Sequence, residues 1–376
     1  MKQAFKIQVP DEAIDDLRRR LASTRWPEEY AGSDWDAGAS QPFLRRVVAR
    51  WRDDYSWPER EKLLNRFDHY LANVDGVQLH FIEARSEDAK AIPLLLMGGW
   101  PSSFVQMLDI LPLLTRPGAV GEASFHVIVA SLPGYPFTTF PGQGKSDFGA
   151  IADLVAELMS KVLGFERFAV RGSDQGGIVL QHLGLRHPDR LIGVHRSGIT
   201  PFASPLPDDL SVEEQKYQEQ VRQWAIRETA YAQLQSWRPE TLTPALTDSP
   251  VALAAWFLEK FQRWGDVRDG LEAAFGLDRL LDNLSLHWFT RSAATSTRLY
   301  REARLGPAPN GRVEVPTAIL MPQHDGVTIP APKEWCERSF NVVRFTQMER
   351  GGHFAEWEAP DLVARDLRSF FAMLSV

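Results

Sequence analysis

The segment FAVRGSDQGGIVLQHLGLR, from Phe168 to Arg186, restricts the fold more than any other part of the chain. An apolar run of strand length passes into a helical pattern through a turn that places Asp174 midway between Gly172 and Gly176. A turn of the form small-x-nucleophile-x-small is the strand-to-helix corner that lifts one side chain above the end of a parallel sheet. Its central residue has a strained backbone, and the flanking positions leave no room for side chains. Centring the turn on Ser173 would put Arg171 and Gln175 at those flanks, and the corner could not close. The glycine phase therefore selects Asp174. An Asp after a glycine turn also serves simply to cap a helix, so a catalytic reading needs partners elsewhere in the chain.

The surrounding rhythm agrees with a parallel sheet. VQLHFIEA (77–84), IPLLLMGGWP (92–101) and FHVIVASLPGYPF (125–137) are strand-like runs, the last two ending in turns. Strand, glycine turn and helix in repetition predict an α/β fold with crossover helices. Between residues 201 and 309 the strand pattern stops and long aromatic-rich helical patterns replace it. The sheet pattern resumes in VPTAILMPQHDG (315–326) and NVVRFTQMERGGHF (341–354), and a last helix starts near APDLVARDLRSFFAML. The expected division is an N-terminal arm (1–66), a first core part (67–200), a helical cap (201–309) and a second core part (310–376). In the arm, Ile14, Leu17 and Leu21 of PDEAIDDLRRRLASTRW fall on one helical face. A cap inserted between early and late strands would cover the carboxyl edge of the sheet, where open α/β sheets bind ligands.

Composition removes several function classes. A net charge of −7 argues against a nucleic-acid partner. The single cysteine, Cys336, allows no intramolecular disulfide and no cysteine-based zinc site, and the histidines lack ligand spacing, so no metal is expected. No stretch approaches the length of a membrane-spanning helix, and the opening residues lack a secretion signal, which predicts a cytoplasmic protein with no membrane partner. Twelve tryptophans, several of them between residues 200 and 300, point to an aromatic-lined cavity.

Partners for Asp174 occur at the right places. Asp325 follows a late apolar strand in MPQHDG, and His353 follows the last strand in ERGGHF. Nucleophile, acid, histidine is the chain order of the α/β-hydrolase triad. A carboxylate nucleophile then narrows the chemistry. Serine attacking a saturated carbon would form an ether that water cannot cleave, whereas aspartate forms an ester that an activated water can hydrolyse. Epoxides and alkyl halides are the two electrophile classes that fit.

The chain resembles the epoxide hydrolases of the α/β-hydrolase superfamily over nearly its whole length, in the branch related to microsomal epoxide hydrolase that carries an N-terminal arm. GGWPSS (98–103), SLPGYPF (131–137), TDSPVALAAWFLEKFQRW (247–264) and RGGHFAEWEAPDL (350–362) are similar to motifs of that branch. The resemblance implies an α/β-hydrolase fold, a mostly parallel central sheet flanked by helices. It also implies two cap tyrosines that donate to the opening oxygen, here Tyr231 in TAYAQLQS and Tyr300 in STRLYREA. His353, oriented by Asp325, would activate water. The N–H groups of Trp100 and Gln175 would form the oxyanion hole, with a cis bond before Pro101. The implied partners are an apolar epoxide and water, without a cofactor, and a second copy of the chain is the one macromolecular partner left open.

Three positions depart from the branch. Gly98 stands where it has His, Gln175 where it has Trp, and Asp325, on a longer loop, where the microsomal type has Glu. These departures predict a pocket reshaped for a particular substrate, such as a bulky natural-product epoxide. The rival readings are a haloalkane-type dehalogenase, which shares the aspartate nucleophile, and a non-catalytic homologue that keeps the pocket.

Overall fold

The computed structural model describes residues 1–30, 32, 34–117, 122–199, 207–327 and 329–374. Its strands are β1 (Lys2–Phe5), β2 (His69–Val74), β3 (Val77–Ala84), β4 (Ile92–Met97), β5 (Phe125–Ala130), β6 (Phe168–Gly172), β7 (Leu191–Ser197), β8 (Val313–Met321) and β9 (Phe340–Gln347). They form one sheet in the order β1-β2-β3-β5-β4-β6-β7-β8-β9. The pairs from β5 to β9 are parallel, and β1, β2 and β3 add an antiparallel edge. IPLLLM, FHVIVA and FAVRG become β4, β5 and β6 because helices cover both faces of a parallel sheet, so continuous apolar runs are buried there.

The sheet extends further towards the N-terminus than its apolar runs suggest. β1 is only four residues long and is held by pairing with β2, so its own sequence carries little strand signal. β2 and β3 form a hairpin across Asp75 and Gly76, whose φ values of 48° and 81° suit a tight two-residue turn. The arm's first helix, Asp11–Ala22, buries Ile14, Leu17 and Leu21, the face expected from their spacing.

Between Val212 and Leu305 the described residues form helices and no strand. The expected boundary at residues 200 and 201 lies outside the described residues. The helices Pro250–Trp264 and Leu277–Phe289 reach the sheet's carboxyl end. Trp264 O accepts from His353 N at 3.0 Å, and Asn283 Nδ2 donates to Pro101 O at 2.9 Å. Among the described residues no helix is long and apolar enough to cross a membrane.

Candidate active site

Asp174 begins the helix Asp174–Arg186 directly after β6, at φ 51°, a left-handed conformation that costs a non-glycine residue energy. The corner closes because its neighbours are glycines. A Cβ on Gly172 would lie 2.6 Å from Gly176 O, and one on Gly176 would lie 2.4 Å from Met97 O. Ser173 N donates to Met97 O at 3.2 Å, and Gly176 N donates to Gly98 O at 3.0 Å, pinning the corner to the end of β4. A Cβ on Gly99 would sit 1.9 Å from Asp174 Oδ1, so this residue also must be glycine for the carboxylate to occupy its place.

The carboxylate is held from two sides. Trp100 N donates to Asp174 Oδ1 at 3.0 Å, across a loop whose Trp100–Pro101 bond is cis. His353 Nε2 lies 3.2 Å from Asp174 Oδ2, and His353 Nδ1 lies 3.1 Å from Asp325 Oδ2. Asp325 is steadied through its other oxygen, which accepts from Val327 N at 2.7 Å. Asp174, Asp325 and His353, far apart in sequence, thus meet in one hydrogen-bonded row. Burial disfavours the imidazolium, but the Asp325 charge and the Asp174 hydrogen bond outweigh it and raise the His353 pKa well above the usual histidine value.

Tyr231 and Tyr300 project from two inserted helices, Ala230–Trp237 and Ser292–Leu305. Their ring centroids are 5.8 Å apart and edge-on. Tyr231 stacks on Trp100 at 5.5 Å, and Tyr300 meets the same indole edge-on at 5.9 Å. Burial, and then the Asp174 charge, raise the Tyr231 pKa. Burial, then Tyr231 and Asp174, raise that of Tyr300 well above normal. Both phenols therefore carry their protons at neutral pH and can donate them. Trp264 stands 5.0 Å from Tyr231 and 5.3 Å from His353, and Phe257 meets Trp100 edge-on, which completes an apolar aromatic wall.

Gln175 lies in the first helical turn, where no intrahelical carbonyl can reach its N–H. Its side chain is buried, and Oε1 accepts from Tyr135 Oη at 2.9 Å. Gly98 has its own local reason. A Cβ there would meet Gln106 Oε1 at 3.3 Å and Met107 Cε at 3.2 Å, so a larger residue would require the ends of these two side chains to yield by a few tenths of an ångström.

Two supporting residues escaped the reading of the sequence. Tyr135 lies inside SLPGYPF, and only its contact with Gln175 reveals a role. Glu358, five residues after His353, accepts from the N–H groups of Asp266, Gly352 and Phe354 and so fastens the peptides on both sides of the histidine. Burial pushes its carboxyl up to about 7 against the pull of those donors. Its position inside RGGHFAEWEAPDL was the one available signal.

Two families match the chain. One, described as epoxide hydrolase N terminus, matches residues 2–107, and the other, the alpha/beta hydrolase fold, matches residues 92–360. Epoxide hydrolase 1 of Sus scrofa is 31% identical over 98% of this chain and 88% of its own length. The crystal structure of juvenile hormone epoxide hydrolase from the silkworm Bombyx mori superposes with a TM-score of 0.87 at 27% identity, covering 100% of this chain and 94% of that one. The Aspergillus niger epoxide hydrolase superposes with a TM-score of 0.85 at 28% identity, covering 100% of this chain and 97% of that one.

Proposed function

The chain belongs to the epoxide hydrolase family of the α/β-hydrolase fold, and from that premise we propose how its residues divide the reaction. Asp174 Oδ2 attacks a ring carbon of the epoxide, the carbon–oxygen bond breaks, and the departing oxygen takes a proton from Tyr231 or Tyr300. The product is an alkyl ester of Asp174 with a hydroxyl on the neighbouring carbon. Alkylation removes one of the two negative charges facing His353, so the imidazolium becomes more acidic and its proton can restore the phenol. The neutral imidazole, still oriented by Asp325, then takes a proton from water as the oxygen adds to the Asp174 carbonyl carbon. Negative charge gathers on Oδ1, facing Trp100 N–H and the N–H of Gln175. Collapse expels the alkoxide and leaves Asp174 as the carboxylic acid, whose proton passes to the alkoxide, so that a vicinal diol, the carboxylate and the imidazolium of the resting site result.

The observation that carries this reading is the placement of the carboxylate, with one oxygen on a backbone N–H and the other on a histidine backed by a second carboxylate. Phenols suit a developing alkoxide better than a departing halide, which favours epoxide opening over dehalogenation. We read residues 201–309 as a cap that brings those phenols over the sheet, and the cytoplasm as the compartment. The aromatic walls support an apolar substrate, and Gln175 in place of an indole supports a bulky, natural-product-sized one.

Turnover in ¹⁸O-water tests the assignment. Label should enter the peptide containing Asp174 after several turnovers, Asp174→Asn should form no diol, and His353→Gln should accumulate the ester by intact-protein mass. Turnover without label in that peptide would remove Asp174 as the nucleophile. Activity confined to small styrene-type oxides would overturn the bulky-substrate reading.

A further inference from the structure

Beneath the site runs a line of buried polar side chains that the mechanism above does not use. It starts at the Gly99–Trp100 peptide, whose N–H faces Asp174 Oδ1. The carbonyl of the same peptide unit accepts from Ser102 N at 3.0 Å, and Ser102 Oγ lies 2.9 Å from it. Gln106 Oε1 also accepts from the Ser102 hydroxyl, whose one proton is shared between it and the Gly99 carbonyl, and Gln106 Nε2 donates to Glu356 Oε2 at 2.6 Å. Glu356 is fully buried, three residues after His353. Its other oxygen lies 2.8 Å from Nη2 of Arg171, an ion pair without the alignment of a hydrogen bond. Arg171 is also fully buried, three residues before Asp174, and it bonds to Ser197 Oγ at 2.7 Å and to His195 Nδ1 at 2.5 Å.

We propose that Glu356, acting through Gln106 and Ser102, is a positioning residue for the Trp100 N–H, and that this relay governs the hydrolytic half of the reaction. A peptide unit is planar, so whatever holds the Gly99 carbonyl sets the direction of the Trp100 N–H. Gly98 offers no side chain to that loop, and the nearest polar atom to its Cβ direction is Gln106 Oε1 itself. The relay therefore holds the loop from within. A buried carboxylate alone would be costly, and Arg171 offsets its charge while fixing it to the strand that leads to Asp174.

The relay affects the two half-reactions in opposite ways. Alkylation removes charge from the Asp174 carboxylate, so a well-aimed donor on Oδ1 gives that step no help. Hydrolysis returns charge to Oδ1, so the same donor lowers its barrier. The inference rests on Asp174 as nucleophile, and its test separates the two claims. Ser102→Ala and Gln106→Leu interrupt the relay while Arg171 keeps its ion pair, Ser102→Thr retains the hydroxyl, and Glu356→Gln serves if Gln106→Leu does not fold. Rapid quench with an aryl epoxide and intact-protein mass spectrometry gives both rate constants. Loss of a whole oxyanion donor slows a reaction about 10²–10³-fold. A misdirected one is expected to slow hydrolysis about tenfold while alkylation stays within about twofold, so that ester accumulates. Ser102→Thr should keep the wild-type ratio. Folded Ser102→Ala and Gln106→Leu proteins with an unchanged ratio, or with both constants lowered equally, overturn the positioning role. A wild-type protein that forms no alkyl-enzyme overturns the nucleophile assignment, and the relay's role with it.

Discussion

At the scale of single residues, the site is organised by one imidazole between two carboxylates. His353 faces Asp174 at 3.2 Å and Asp325 at 3.1 Å, and their combined pull overcomes burial to raise its pKa. The raised value has a definite sign for stability. The folded state binds this proton more tightly than the unfolded chain, so the stabilisation is complete below the unfolded value of about 6.5 and fades as pH rises through the folded one. Asp174→Asn removes one carboxylate charge, as alkylation does, and should lower the His353 pKa. Titration of the ring by ¹⁵N NMR measures this directly, and an unchanged or higher value would contradict the proton flow proposed above. The two tyrosines give a second prediction at this scale. A general acid is worth roughly 10²–10⁴ in rate. Because the proposed mechanism offers two phenols to one departing oxygen, Tyr231→Phe and Tyr300→Phe should each cost less than that, roughly tenfold to a hundredfold in single-turnover alkylation. The double variant should lose more than either, and a double variant no slower than one single variant, with the other single variant unaffected, would assign the proton to one tyrosine.

At the scale of elements, the contrast between the corner after β6 and the histidine loop shows what a sequence can reveal. The corner was legible because both of its glycines fall within one five-residue motif. Gly172 must be glycine for the Gly176 carbonyl four residues on and Gly176 for the Met97 carbonyl at the end of β4, and their spacing alone selects Asp174 over Ser173. The histidine loop was legible only in its histidine. Glu358 acts by gathering N–H groups from Gly352 and Phe354 beside it and from Asp266 in another segment, and no periodicity encodes such a gathering. β1 escaped for a related reason, since four residues become a strand only through pairing with β2. The loop's dependence on Glu358 is testable. Glu358→Ala leaves three partly buried donors unpaired, at up to about 1–3 kcal/mol each before water or local rearrangement compensates. Thermal unfolding should show a loss of several kcal/mol, and the ester should hydrolyse more slowly as the histidine loop loosens. A variant as stable as the wild type would mean that the loop keeps its shape without this carboxylate.

At the scale of the whole molecule, the arm is joined through the helix Leu277–Phe289 to the Trp100–Pro101 loop. Trp51 Nε1 donates to Ser285 Oγ at 2.9 Å, Tyr55 Oη donates to Asp282 Oδ1 at 2.8 Å, and Arg60 grips both oxygens of Asp282 at 2.8 and 2.6 Å. These contacts hold the helix Leu277–Phe289 from one side. From the other side, its Asn283 Nδ2 donates to Pro101 O, and His287 Nε2 lies 3.2 Å from Ser102 O, in the loop whose Trp100 N–H faces Asp174. The arm is thus two hydrogen-bonded steps from the loop whose Trp100 N–H holds Asp174 Oδ1, a connection that its amphipathic helix pattern does not disclose. Asp282 is the vulnerable point. Burial raises its pKa, while Arg60 and Tyr55 favour the charged form. Arg60→Met removes the cation bonded to both oxygens and leaves a buried carboxylate with the Tyr55 hydrogen bond and only the through-space charge of Arg279, which should cost about 3 kcal/mol, the lower end of the range for a broken buried pair because Arg60 is partly exposed. The sign of the pH dependence follows from the same charge. With Arg60 gone the folded Asp282 pKa moves further up, so the penalty is full above that value and relieved as pH falls through it and the carboxyl takes a proton. The stability gap between wild type and Arg60→Met, measured by urea unfolding, should therefore be widest at neutral pH and shrink towards pH 4, and a gap independent of pH would show that Asp282 does not depend on Arg60 for its charge.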